Sequence, residues 1–69
     1  MKFEVLGIFP DRSMLTIKKV NTEKAALRLA ANESLKKAWH EVTVYQYDQA
    51  GDICGHWYYK AGKQTISIF

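Results

Sequence analysis

Residues 23–38 constrain the fold more than any other stretch of this sequence. They include five Ala and three Leu and no Gly or Pro, so helix propensity is high from end to end. Asn21 and Thr22 stand just before the run, and either side chain accepts from the open N–H groups of a helix start. Glu23 falls where the helix dipole favours an anion, and Lys36 and Lys37 where it favours cations. The sequence predicts one helix over 22–38. Its inner face has two readings. Leu27, Ala30, Ala31, Ser34 and Ala38 cluster on one side, with Leu29 then facing solvent, while Ala26 and Leu29 with Ala30 define a rotated stripe. Small residues on both stripes imply that the helix lies close on a sheet.

On either side of that run the pattern is that of strands. Residues 2–9 are rich in β-branched and aromatic types and stop at Pro10-Asp11-Arg12-Ser13, where Pro presets φ and Asp bonds its own backbone. Residues 14–20 resume the pattern, with Leu15 and Ile17 on one face and Thr16 and Lys18 on the other. Beyond the helix, 40–47 alternate Val42 and Val44 against Thr43, Tyr45 and Tyr47. Residues 48–52 close a hairpin onto 53–60, and Ala61-Gly62 makes a tight turn into a last strand over 64–69. The helix returns the chain to the start of the second strand, so the third strand runs parallel to the second. A fully antiparallel sheet then needs the first strand between them. The expected fold is α+β, in the order ββαβββ: a five-stranded antiparallel sheet of order 2-1-3-4-5 with one helix packed on one face. A chain of 69 residues has room for one core, and 1–69 are expected to form a single domain.

Composition narrows the function classes. Hydrophobic residues make up 48% of the chain and charged residues 25%, with one Pro and four Gly, which excludes a disordered or collagen-like chain. A domain this small buries roughly 60% of its unfolded surface. Little is left to build a deep, water-excluding cleft, and no enzyme is expected. The N-terminal apolar run contains Glu4 and lacks the long core of a secretion signal, and no stretch approaches the ~20 apolar residues that cross a bilayer. Cys54 is the one cysteine, so no internal disulfide staples the fold, which fits a reducing interior. The expectation is a soluble, cytoplasmic protein without a cofactor.

The chemistry-bearing pairs have plainer explanations. Cys54 and His56 project from one face of a strand, but a structural zinc site needs four ligands and only His40 and the turn aspartates remain. As a nucleophile pair they lack an orienting third group and an oxyanion hole. Asp48 and Asp52 flank Gly51 as turn residues, without the run of oxygen donors that calcium requires. The glycines at 7, 51, 55 and 62 are scattered and form no phosphate loop.

The aromatic residues are more informative. If Val42 and Val44 face the helix, Tyr45 and Tyr47 lie on the other face of the sheet, joined by either Trp57 and Tyr59 or His56 and Tyr58. With no second layer to cover it, that strip reads as an interaction surface, against the plainer reading that cross-strand aromatic pairs stabilise a one-layer sheet. Ten Lys or Arg against seven Asp or Glu give a net charge of +3, which permits an anionic partner but falls short of a dedicated nucleic-acid binder. Arg28, Lys36, Tyr45 and Tyr47 are the expected contacts to a protein partner. The alternative is a nucleic-acid surface built from Lys18, Lys19, Lys60 and the tyrosines. The last strand carries no Pro or charge over 65–69 and lies at a sheet edge, which invites pairing with another strand. A monomer whose last strand tucks its Ile side chains against the helix is favoured over a homodimer.

The pattern Ala26-x-Arg28-Leu29-Ala30, then Val42-x-Val44, then Tyr59-Lys60-Ala61-Gly62-Lys63, set in the ββαβββ order, resembles the small sheet-plus-helix members of the type I-F anti-CRISPR proteins over residues 22–69. The resemblance implies a phage-encoded, non-catalytic protein. Such a protein acts inside the host cell by binding the crRNA-guided surveillance complex and obstructing target-DNA hybridisation. It further implies that basic helix residues touch the complex, Arg28 among them, whereas Leu27 and Asn32 stand where that pattern carries further basic residues. A phage or mobile-element accessory protein of the same fold that inhibits another host defence complex fits the same residues.

Overall fold

A computed structural model describes residues 2–65. Its elements are β1 (Lys2–Ile8), β2 (Met14–Val20), α1 (Glu23–Glu33), β3 (Glu41–Tyr47), β4 (Ile53–Lys60) and β5 (Lys63–Thr65). The strands form one sheet of order β2-β1-β3-β4-β5 with every neighbouring pair antiparallel. The fold is the α+β, ββαβββ arrangement that the pattern implies, with α1 packed across β1 and β3. Of the strand expected over 64–69, residues 66–69 lie outside the described residues.

Turn chemistry sets the strand lengths. Between β1 and β2, Arg12 N–H donates to the Phe9 carbonyl (2.9 Å) and Phe9 N–H to the Ser13 carbonyl (2.9 Å). Asp11 Oδ1 accepts from the Ser13 N–H and hydroxyl (2.9 and 2.6 Å), and these bonds, the hydroxyl's first, hold its carboxyl below the usual carboxylate range. The β3–β4 turn repeats the plan: Gly51 N–H donates to the Asp48 carbonyl (3.1 Å) and Asp48 N–H to the Asp52 carbonyl (2.9 Å). Asp48 Oδ1 accepts from the backbone of Ala50 and Asp52, so this aspartate is part of the turn, as its spacing implies. Ala61 and Gly62, both left-handed, join the paired Lys60 and Lys63 in a two-residue turn that matches the sheet's twist.

The core lies between α1 and one face of the sheet. It comprises Phe3, Val5, Val42, Val44 and Tyr59 with Ala26 and Ala30 of the helix. Val5 stands opposite Val44, Gly7 opposite Val42, and Val42 opposite Tyr59. Fully buried Ala26 and Ala30 keep the helix close, because a methyl group is all that separates its backbone from the valines. Trp39 closes one end of this core. Its indole lies over Gly7, where a Cβ would collide with the ring, packs against Phe9 at 4.8 Å and donates Nε1–H to Glu33 (3.3 Å).

Helix α1 is shorter than the expected span of 22–38. Thr22 caps its start by accepting from Ala25 N–H (3.3 Å), and Ser34 is its C-cap. Ser34 Oγ donates to the Ala31 carbonyl (2.8 Å) and accepts from Gly62 N–H (2.8 Å), which ties the helix end to the β4–β5 turn. Residues 35–39 then descend through tight turns to bring Trp39 onto Gly7, and His40 N–H donates to Ile8 (2.7 Å). Burial of the indole outweighs the helix propensity of this segment. Lys36 and Lys37 therefore lie beyond the helix instead of in its last turn. The inner stripe is Ala26, Ala30 and Ser34, between the two sequence readings. Leu29 packs half-buried against the core and does not face solvent.

A bulge shifts the pairing of β1 with β2 between Val5 and Leu6, so that Thr16 stands opposite Leu6 and Lys18 opposite Val5. Ile17 is the extra residue, and the expected alternation of Leu15 and Ile17 against Thr16 and Lys18 is broken there. Lys18 shares the helix side with Val5, while Lys19, opposite Glu4, lies on the other face.

Candidate binding face

The sheet face away from α1 is built by alternation. With Val42 and Val44 committed to the core, Glu41, Thr43, Tyr45 and Tyr47 project the other way. Tyr45 stands opposite His56 and Thr43 opposite Tyr58, so His56 and Tyr58 join the tyrosines. Trp57 and Tyr59 turn to the core side, where Trp57 meets Phe3 at 6.2 Å. The rings form a chain: Tyr47 to Tyr45 at 6.5 Å, Tyr45 to His56 at 4.5 Å, and His56 to Tyr58 at 4.2 Å, with interplanar angles of 62°, 41° and 51°.

Hydrogen bonds fix this chain at Tyr47 and at His56. Tyr47 donates its hydroxyl to Glu4 Oε1 (2.9 Å), and Thr16 donates to Glu4 Oε2 (2.7 Å). Burial, then the Glu4 bond and charge, push the Tyr47 phenol above its ordinary range. Thr43, fully buried, donates to the Trp57 carbonyl (3.2 Å) and lies 2.8 Å from His56 Nε2. A hydroxyl has one proton, so both contacts are met when His56 carries its proton on Nε2 and donates to Thr43. Burial holds the His56 imidazole below its ordinary pKa. Burial also raises the Tyr58 phenol, with the Tyr45 and Glu41 charges adding to it. Tyr47, His56 and Tyr58 are thus neutral at pH 7, and the side chains of Glu4 and Glu41 are set on the same face.

The four residues expected to touch a protein partner divide between two sides. Tyr45 and Tyr47 lie on this face. Arg28 is exposed on α1, beside Lys24 in a shallow groove of about 380 Å³. Lys36 lies beyond the helix and pairs with Glu33 (2.8 Å). That bond, followed by the one from Trp39, draws the Glu33 carboxyl below its usual range. Of the basic residues in the nucleic-acid alternative, Lys19 and Lys60 share the tyrosines' face and Lys18 does not.

Cys54 and His56 are not companions. A second bulge, between Gln46 and Tyr47, makes Cys54 the extra residue opposite them, and it is exposed while His56 sits among the tyrosines. Among the described residues no group of three His, Cys, Asp or Glu is placed to hold a metal ion, and no helix is long and apolar enough to cross a membrane. Sequence reasoning placed Thr43 on the face of the β3 tyrosines but did not find Glu4 and Thr16 as their partners. No protein-family model, curated protein or solved structure matches the chain.

Proposed function

We propose that this chain is a non-catalytic binding module that engages a protein partner through the Tyr47–Tyr45–His56–Tyr58 face. The observation that carries the reading is this aromatic chain on the sheet face opposite the helix. Tyrosines of this kind combine large apolar area with low side-chain entropy, which suits an interface. Glu4 and Glu41 lie within the face and repel phosphates, which favours a protein partner over a nucleic acid. In the cell the module acts as a phage or mobile-element accessory protein that inhibits a host defence complex from the cytoplasm. The type I-F surveillance complex is the first partner to test, on the strength of the anti-CRISPR resemblance, from which this proposal departs in placing the contact on the sheet face and not at Arg28.

The immobilised chain is expected to retain the purified surveillance complex. Tyr45→Ala and Tyr58→Ala should each reduce retention at least several-fold, and Arg28→Glu, on the opposite side of the sheet, should not. If Arg28→Glu alone abolished retention, the site would move to the helix. Failure to retain that complex removes the anti-CRISPR assignment. A second reading, single-stranded nucleic acid, is favoured by Lys19 standing in the same cross-strand row as Tyr45. Oligonucleotide binding whose affinity falls steeply with salt would replace the protein reading with this one.

A further inference from the structure

Where β1 begins and β2 ends, a cleft of about 470 Å³ opens between Lys2, Phe3 and Glu4, Lys19, and Tyr47 and Gln49. It meets the aromatic face at Tyr47 but extends past the end of the sheet. The half-buried ring of Tyr47 gives it an apolar wall; Phe3 borders it but is only 4% exposed, its ring turned into the core against Trp57.

Most of its polar groups are already engaged. Each Glu4 oxygen holds a donor, from Tyr47 and from Thr16. Asp48, at the lip, accepts from the backbone of Ala50 and Asp52, and the single phenolic proton of Tyr47 is committed to Glu4. Lys2 and Lys19 are different: the ion pair among the described residues is that of Lys36 with Glu33, and neither of these exposed lysines shares in it. What the cleft offers a guest is the two ammonium donors of Lys2 and Lys19 beside the Tyr47 ring, with the Gln49 amide at its lip.

We propose that this cleft binds a small organic anion with a flat apolar body. The phosphate or carboxylate head takes N–H bonds from Lys2 and Lys19, and the body lies against the Tyr47 ring. The volume falls in the ~300–1,000 Å³ range of small-molecule sites, and an inorganic ion alone would leave most of it to water. Two lysines against Glu4 and Asp48 leave no net charge. Recognition therefore needs head and body together, with direct hydrogen bonds supplying what long-range attraction does not.

The test is an NMR titration of the full chain, following backbone amides, with adenosine monophosphate, benzoate, adenosine and inorganic phosphate as separate probes. The expected result is saturable shifts confined to residues 2–4, 19 and 47–51 with adenosine monophosphate, benzoate or both. Adenosine and phosphate should bind roughly tenfold more weakly, a difference of about 1.4 kcal/mol. A response to the nucleotide alone assigns a phosphate head, and a response to benzoate alone a carboxylate. Lys2→Gln and Lys19→Gln should each weaken binding roughly tenfold, as loss of a charged hydrogen bond does, while Lys36→Gln leaves it unchanged. Absence of saturable shifts at millimolar probe overturns the proposal, as does binding that survives both lysine substitutions or is matched by adenosine. Tyr58→Ala lies outside the cleft and should leave this titration intact, which separates the proposal from the partner-binding reading.

Discussion

Arg12 holds φ at 75° and Ala61 at 52°, left-handed values that cost a residue with a Cβ roughly 1–2 kcal/mol. Gly51 occupies the corresponding place in the β3–β4 turn at φ 87° without that strain. Arg12→Gly should therefore raise stability by ~0.5–1 kcal/mol once the greater freedom of glycine in the unfolded chain is deducted. Ala61→Asn should act in the same direction, since a two-residue turn of this type favours Asn-Gly. Urea denaturation checks both, as a higher midpoint at unchanged slope; a lower midpoint for Arg12→Gly would mean that its side chain contributes more than its backbone costs. Gly7 presents the opposite case. A methyl group there meets the Trp39 ring, which is held by Phe9 and Glu33. Gly7→Ala should cost ~1–3 kcal/mol by overpacking and shift tryptophan emission toward that of an exposed indole. Wild-type stability and emission in this variant would show that Trp39 is not seated on Gly7.

Between elements, Ser34 is the joint that links the end of α1 to the β4–β5 turn. Ser34→Ala removes the acceptor of Gly62 N–H and should cost ~1–2 kcal/mol, with faster hydrogen exchange at the Gly62 amide as its local signature; unchanged exchange there would sink the link. The same joint explains what the sequence did and did not disclose. The helix start was legible because Thr22 caps it through a bond three residues away. Its end was not, since the choice is made by Gly62 and Gly7, far off in the chain. Strand order followed from the connection geometry, and the face of Tyr45 and Tyr47 from the alternation of Val42 and Val44. The partners of those tyrosines on β4 stayed open between two registers because the bulge at Cys54 has no local signature. The link of Glu4 and Thr16 to this face escaped notice for a related reason: Tyr47 and Glu4 are 43 residues apart, and only the folded sheet makes them neighbours.

Across the whole molecule, the shifted groups define a pH window of stability. Burial lowers the His56 pKa in the folded state, so below the unfolded value of about 6.5 the unfolded chain takes up a proton that the fold refuses. Stability is then full above about pH 6.5 and falls as pH drops toward the folded pKa. Asp11 and Glu33, both lowered by hydrogen bonds, add a further loss at lower pH as their folded carboxylates protonate, and their exposure keeps this loss small. The raised phenols of Tyr47, Tyr58 and Tyr59 act at the other end. Their contribution is complete below the unfolded value of about 10 and is lost as pH rises through the folded values, because the unfolded chain ionises first. Thermal melts across this range should give a plateau from about pH 6.5 to about 10 with a decline on each side. His56→Gln should flatten the decline that begins near 6.5 and leave the alkaline one in place. If the wild-type chain kept its full melting temperature down to pH 5, His56 would be protonating freely inside the fold, and its burial between Tyr45 and Tyr58 would have to be abandoned.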